Sequence, residues 1–253
     1  MWIGVVSVLI FSSPNLMVLA FGGLAEGTEA VSRPGTAELV FALVVTLVFQ
    51  VVVFALALLP LLAAGRPYRR LLGPSPTGVL MVAVGLGVGA ATAVVAYTVN
   101  AVLIGVFETS QPVEQQLLND ALAGGATTVL VILIAVVAAP ITEEVVFRGV
   151  LFRSLSARTG VHLAAVVSSA VFALIHFEIV FSQPLALGGL FVVGLALAYA
   201  FHATGNLLVP ILGHAVFNAI SVSLAILVDR LGLDEVAEVA VIVRVALTGV
   251  GGG

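Results

Sequence analysis

Long apolar stretches, separated by short polar or turn-forming connections, dominate the chain. A helix that crosses the hydrocarbon core of a bilayer needs about 20 mostly apolar residues. Several stretches approach or exceed this length, so the pattern predicts an all-α fold, a polytopic transmembrane bundle of about eight helices. We interpret the first stretch as a retained span rather than a cleaved signal peptide, because it has no basic leading region. The predicted spans are residues 2–21, 39–64, 79–106, 127–147, 163–179, 185–201, 207–228 and 236–250.

The composition agrees with lipid as the solvent, because 61% of the residues are hydrophobic and only 9% are charged. All 9 basic residues are arginines and they form no large patch, so we expect a bilayer and not a nucleic acid as partner. The absence of cysteine excludes disulfides, thiolate metal sites and cysteine nucleophiles. We treat residues 1–253 as one integral membrane domain, with a motif-bearing core at about 121–228.

The arginines also predict an orientation. Arg66, Arg69 and Arg70 lie between the second and third predicted spans, and Arg153 and Arg158 lie between the fourth and fifth. Loops two spans apart share a side of the membrane, and basic residues favour the cytoplasmic side. We therefore predict a multi-pass protein of the cell membrane with both termini in the cytoplasm.

Polar and ionisable residues inside the predicted spans are the candidates for function. A charged side chain at membrane depth costs about 2.5 to 3.5 kcal/mol even on the most lenient scale, so such residues are functional hypotheses by default. They concentrate in the fourth, fifth and seventh spans, as Glu143, Glu144 and Arg148, then His176, then His214 and Asn218.

Helical spacing separates the two acids of the first cluster. Glu144 and Arg148 are four residues apart with the acid first, the better orientation for an ion pair. Glu143 points about 100° away on the same helix, so it can face a polar cavity while Arg148 holds Glu144. Pro140, just before, favours a kink that would widen such a pocket. The alternative is that all three charges lie in the lipid headgroup zone.

His214 and Asn218 are also four residues apart, which places both side chains on one helix face. Together with His176 and Glu143 they predict a site, since buried ionisable groups cluster at functional positions. The alternative is a core histidine and an asparagine that only joins two helices. We interpret Asn100 in the third span as a residue that joins helices, and we expect Arg244 in the last span to reach the membrane interface or to pair with a neighbour.

These groups suffice for hydrolysis without a protein nucleophile. Glu143 and one histidine can take a proton from water, while the other histidine and Asn218 donate to the oxyanion. The set Glu143, His176 and His214 would equally suit a catalytic zinc ion, although no His-Glu-x-x-His run is present. No cofactor is firmly implied, and a divalent metal stays open.

The three motifs resemble those of the CPBP family of intramembrane proteases, which includes the CAAX prenyl endopeptidases of the Ras-converting type and abortive-infection-like proteins. The resemblance is carried by residues in Glu-Glu-x-x-x-Arg, Phe-x-x-x-His and His-x-x-x-Asn patterns, in that order along the chain. They are Glu143, Glu144, Arg148, Phe172, His176, His214 and Asn218.

The resemblance implies an eight-helix bundle with a membrane-embedded polar cavity and a glutamate-dependent endopeptidase. The resemblance also implies that Glu143 and His176 activate the water and that His214 and Asn218 form the oxyanion site. Glu144, Arg148 and Phe172 are supporting residues. The implied substrate is a membrane-associated protein or peptide, of which a prenylated CAAX protein is one class. Two alternatives stay open: a transporter or proton-relay protein, and a non-catalytic membrane scaffold or immunity protein.

Overall fold

The computed structural model describes residues 36–63, 78–107, 124–176 and 185–231, and within these ranges every regular element is helical. Five helices are long and apolar enough to cross a membrane, and one apolar helix is shorter. The all-α class and a multi-pass membrane protein are therefore confirmed. The predicted spans 2–21 and 236–250 lie outside the described residues, so a total of eight stays a prediction. The helices are α1 Thr36–Ala63, α2 Val79–Phe107, α3 Ala126–Thr159, α4 Val161–Leu174, α5 Ala186–Thr204 and α6 Leu208–Leu231.

Helix α3 continues well past the predicted end of the fourth span at Phe147. The prediction was wrong because Gly149 does not end a helix by itself, and the residues after it remain apolar. The chain turns only at Gly160, whose φ of 84° few other residues adopt, and α4 begins directly afterwards. Arg153 and Arg158 thus lie in the last turns of α3 and not in a loop.

Two segments of α3 are wound more widely than an α-helix. They span Leu133–Ala138 and Val145–Phe152, and the N–H of Ala139 accordingly bonds the carbonyl of Ile134, five residues back. The next donor in this pattern would be Pro140, which has no N–H to offer the carbonyl of Ala135. Such π-helical turns are frequent at functional sites, and here they flank the Glu143-Glu144 pair.

Helix α4 is too short to span the bilayer. Its 14 residues rise about 21 Å, against a hydrocarbon core of about 30 Å. The helix packs against α5 and the later turns of α3. The helix ends at Leu174, and the half-buried His176 lies just after this end.

Glycines bring α2 and α6 into close contact. A Cβ added to Gly89 would lie 2.5 Å from the carbonyl oxygen of Gly213, and one added to Gly85 would lie 2.9 Å from Cβ of Leu212. Gly87, between them, would meet nothing within 4 Å. Two of the three glycines thus allow the backbones to approach, and this contact positions the helix that carries the third motif.

Asn100 joins α2 to α5, which is the role that the sequence predicts for it. Its Oδ1 accepts a hydrogen bond of 2.9 Å from the backbone N–H of Gly189, in the first turn of α5. The first four N–H groups of a helix have no partner within that helix. Asn100 therefore caps a neighbouring helix from the side, a contact that Gly189 permits because it has no side chain.

Candidate active site

Glu144 and Arg148 form a buried ion pair along α3. Nη1 of Arg148 donates to Oε1 of Glu144 over 2.8 Å, and the two side chains are 1% and 0% exposed. Nη2 of Arg148 donates to the carbonyl oxygen of Gly194 over 2.8 Å. The guanidinium also lies 5.0 Å from the centre of the Phe172 ring. The pairing that helical spacing predicted is confirmed, and the contacts with α4 and α5 show why the charge is tolerated.

Gly194 makes the contact with Arg148 feasible. A Cβ at this position would lie 2.7 Å from Cβ of Ser169 on α4. Because glycine has none, α4 and α5 pack closely and leave the Gly194 carbonyl open to the guanidinium. The sequence did not identify Gly194, because a contact made by a backbone oxygen requires no particular side chain.

Glu144 also holds His214. Nδ1 of His214 lies 2.9 Å from the same Oε1 that Arg148 contacts, and the imidazole is buried. A carboxylate oxygen accepts, so Nδ1 carries the proton and Nε2 is left for other partners. Sequence reasoning paired Glu144 only with Arg148 and missed this contact, which joins residues 70 positions apart.

Glu143 is not part of that network. Glu143 is half-buried, and its Oε2 is a buried atom without a hydrogen-bond partner among the described residues. Buried carboxylate oxygens are normally satisfied by protein groups or by ordered water. Among the described residues, the acid that spacing left without an ion-pair partner thus also has none in the structure, and its Oε2 is suited to a water molecule or a ligand.

His176 is oriented by the end of α4. Its backbone N–H bonds the carbonyl of Ala173, a tighter turn that ends the helix. The carbonyl of Phe172, which a continuing helix would have used, instead lies 2.8 Å from Nδ1 of the imidazole. His176 therefore donates a hydrogen bond from Nδ1 to the Phe172 carbonyl. Its Nε2 is left available, as is Nε2 of His214.

Asn218 reaches the backbone of α3. Its Nδ2 donates over 2.7 Å to the carbonyl oxygen of Ala135, the group for which Pro140 has no donor. His214 and Asn218 both contact α3, so the prediction that they share a helix face is confirmed. The helix-joining role considered for Asn218 is observed, and the second amide proton and Oδ1 stay available to a ligand.

Phe172 lies between the two histidines. Its ring centre is 5.0 Å from that of His176 and 5.7 Å from that of His214, and it meets Phe147 edge-to-face at 5.2 Å. The structure thus gathers Glu144, Arg148, His214 and His176 around one buried aromatic ring, with Glu143 adjacent in sequence to Glu144. Phe172 supports the arrangement by packing.

The zinc arrangement considered from the sequence is not formed. Among the described residues, no three His, Asp, Glu or Cys side chains are grouped closely enough to hold a metal ion. Glu143, His176 and His214 do not fit a metal ion in this geometry, and we derive no step through one.

Comparison with known proteins agrees with the resemblance seen in the motifs. Residues 125–220 match the family model described as type II CAAX prenyl endopeptidase Rce1-like. The match runs from α3 into α6 and contains every candidate site residue, whereas α1 and α2 lie outside it.

One curated relative is YdiL of Bacillus subtilis (strain 168), named as a candidate membrane peptidase and 29% identical over 89 residues. The matched stretch covers 35% of this chain and 34% of the length of the relative. No solved structure matches the chain. The resemblance to this family is thus confirmed for the segment that carries the motifs.

Proposed function

We propose that this protein is an intramembrane endopeptidase that hydrolyses peptide bonds of membrane-associated proteins, with prenylated CAAX-type proteins as the first substrate class to test. The observation that carries the proposal is the unpaired, buried Oε2 of Glu143, next to a neighbour whose charge is neutralised. A carboxylate in this state can bind and activate water. The family match of the same segment supports it independently.

Glu143 is the general base of the proposed reaction. It takes a proton from a bound water as the water oxygen attacks the carbonyl carbon of the scissile peptide bond. It returns that proton to the departing nitrogen as the C–N bond breaks, so the products are a carboxylic acid and an amine. His176 binds the same water through Nε2, the nitrogen that its bond to the Phe172 carbonyl leaves available.

His214 and Asn218 stabilise the oxyanion in this mechanism. Asn218 donates its second amide proton, since the first is held by Ala135. His214 acts through Nε2, which donates to the oxyanion when it carries a proton, while Glu144 accepts the Nδ1 proton. Preorganised donors of this kind contribute about 3 to 4 kcal/mol each to catalysis.

Glu144 and Arg148 act on the reaction through His214. Glu144 fixes which imidazole nitrogen faces the substrate, and Arg148 fixes Glu144 through the ion pair and the Gly194 carbonyl. Both are positioning residues, because their contacts are with other protein groups. We expect their replacement to disturb the site as a whole.

The proposal is tested with purified protein in proteoliposomes and quenched fluorescent peptides that end in a farnesylated or an unmodified CAAX sequence. Wild type is compared with Glu143→Gln, and with His202→Gln as a control at an exposed histidine of α5. We expect Glu143→Gln to lose at least about a hundredfold in rate, the usual contribution of a general base, and the control to match wild type.

Other outcomes would be equally informative. Equal cleavage by wild type and Glu143→Gln would remove Glu143 from the mechanism. A folded wild type that cleaves neither peptide nor any protein of a membrane-proteome pool would favour a scaffold or immunity protein. A parallel assay with a chelator decides whether a metal ion is required.

A further inference from the structure

Gln50 is an exceptional residue in α1. The helix is otherwise almost entirely apolar, yet Gln50 is 5% exposed while its neighbours Val51 and Val52 are 59% and 47% exposed toward the lipid. The hydroxyl of Thr46, one turn earlier, donates a hydrogen bond to the carbonyl oxygen of Ala42 in the same helix. A carboxamide turned inward in a transmembrane helix is costly unless it has a polar partner, and such residues are functional hypotheses.

The position of Gln50 is fixed by α3. Oγ1 of Thr142 lies 3.4 Å from the backbone oxygen of Gln50, and α1 packs along the first two thirds of α3. Thr142 directly precedes Glu143, whose side chain points about 100° further around the helix. Gln50 is therefore at the level of the proposed general base, on the helix that covers this side of α3.

The buried polar groups at this level of α3 are not all satisfied. Glu144, Arg148 and His214 bond one another through some of their atoms, whereas Oε2 of Glu143, Oε2 of Glu144 and Nε of Arg148 have no hydrogen-bond partner among the described residues. A carboxamide offers two N–H donors and one carbonyl acceptor, the same groups that a peptide main chain presents. The carboxamide of Gln50 is thus suited to form hydrogen bonds with the main chain of an extended peptide, as the edge strand of a sheet does.

We propose that Gln50 lines the water-containing site around Glu143 and binds the main chain of the substrate peptide there. The inference rests on the proposed peptidase function and deepens it. It assigns one wall of the site to α1, which lies outside the segment that matches the family model at residues 125–220. The family motifs would then supply the chemistry, and a residue from the unmatched part of the chain would hold the peptide.

The first test needs no substrate, because the protein has no cysteine and single-cysteine variants can be probed directly. Gln50→Cys and the lipid-facing control Val51→Cys are treated in liposomes with a charged, water-soluble methanethiosulfonate reagent. Thiolates form and react in water and not in lipid. We expect Gln50→Cys to be modified at least about tenfold faster than Val51→Cys, and equal slow modification would overturn the proposal.

The second test separates a peptide contact from mere contact with water. Gln50→Leu keeps the approximate size of the side chain and removes one hydrogen bond, for which we expect a loss of about tenfold in kcat/KM, mainly through KM. Thermal stability should stay at the wild-type level. Unchanged kcat/KM for the farnesylated CAAX peptide would overturn the peptide contact.

Failure of the two proposals can be told apart. If Glu143→Gln abolishes cleavage and Gln50→Leu has no effect, the peptidase stands and the role of Gln50 falls. If Glu143→Gln cleaves like wild type, Glu143 is not the general base, and if folded wild type cleaves neither peptide nor any protein of the membrane-proteome pool, the proposed function itself falls. If Gln50→Leu lowers stability and kcat together with no change in KM, Gln50 only joins α1 to α3, and the inference is wrong.

Discussion

Asn218 donates a hydrogen bond of 2.7 Å to the backbone oxygen of Ala135, a group that Pro140 leaves without a main-chain donor. The wide turn at Leu133–Ala138 brings Pro140 opposite this carbonyl. Backbone groups inside a membrane must be satisfied by the protein. The third motif therefore has a structural task on α3, besides its proposed place at the oxyanion.

This relationship predicts that Pro140 and Asn218 are coupled in stability. Asn218→Leu leaves the Ala135 carbonyl without a partner, which we expect to cost about 0.6 to 2 kcal/mol. In a Pro140→Ala background the restored N–H can serve that carbonyl, so the same substitution should cost less. Steric-trap or denaturant unfolding of the four proteins measures the coupling.

The control for this cycle is Asn100→Leu, which removes a similar side chain that bonds Gly189 instead. Its effect should be the same in the wild-type and Pro140→Ala backgrounds, because the two sites share no partner. Strict additivity for Asn218 as well would contradict the assignment of the Ala135 carbonyl to this side chain.

The buried ion pair makes a second prediction. Glu144→Leu or Arg148→Leu alone strands the partner's charge in a site with almost no exposure, at a cost of about 3 to 5 kcal/mol. The double variant removes both charges and should be destabilised by much less than the sum. Thermal unfolding in a fixed detergent compares the three variants. A double variant as unstable as the sum would show that the pair is not coupled.

The close contact of α2 and α6 makes a third prediction, with a built-in control. Gly89→Ala places a methyl group 2.5 Å from the Gly213 oxygen, and we expect it to destabilise by about 1 to 3 kcal/mol and to lower activity. Gly87→Ala meets nothing within 4 Å and should be neutral or slightly stabilising, because alanine favours a helix more than glycine does. Melting temperature and peptide cleavage are measured for both variants. Equal effects of Gly89→Ala and Gly87→Ala would show that the close contact at Gly89 does not contribute to stability or activity.

The orientation of the protein is a fourth prediction. Thr159 and Ala126 are exposed residues at opposite ends of α3. If the arginine-bearing end is cytoplasmic, an impermeant maleimide added to intact cells should label Ala126→Cys, and Thr159→Cys should be labelled only after lysis. The reverse pattern would invert the predicted topology.

The sequence was sufficient for features that depend on local periodicity. The Glu144–Arg148 pair, the unpaired Glu143 and the shared face of His214 and Asn218 all follow from about 3.6 residues per turn. Apolar length likewise located the six helices of the described residues, five of which are long enough to cross a membrane. These features needed no knowledge of which helices are neighbours.

Features that depend on neighbours could not be predicted in this way. The bond between His214 and Glu144 joins residues 70 positions apart, and the Gly194 carbonyl is a backbone group 46 positions from Arg148. The end of α3 was misplaced, since a glycine inside an apolar stretch does not show from sequence whether a helix stops there. The positive φ of Gly160 decides that point.

The ion pair of α3 also bears on how the protein is made. Glu144 and Arg148 are neighbours on one helix, so their charges can neutralise each other as soon as that helix forms, and Glu143 is left as the third charged side chain of the cluster. Gly194 and His214 are synthesised only later, 46 and 70 residues downstream of their partners. During biogenesis, two of the three charges of this cluster can thus be neutralised before the helices that complete the site exist.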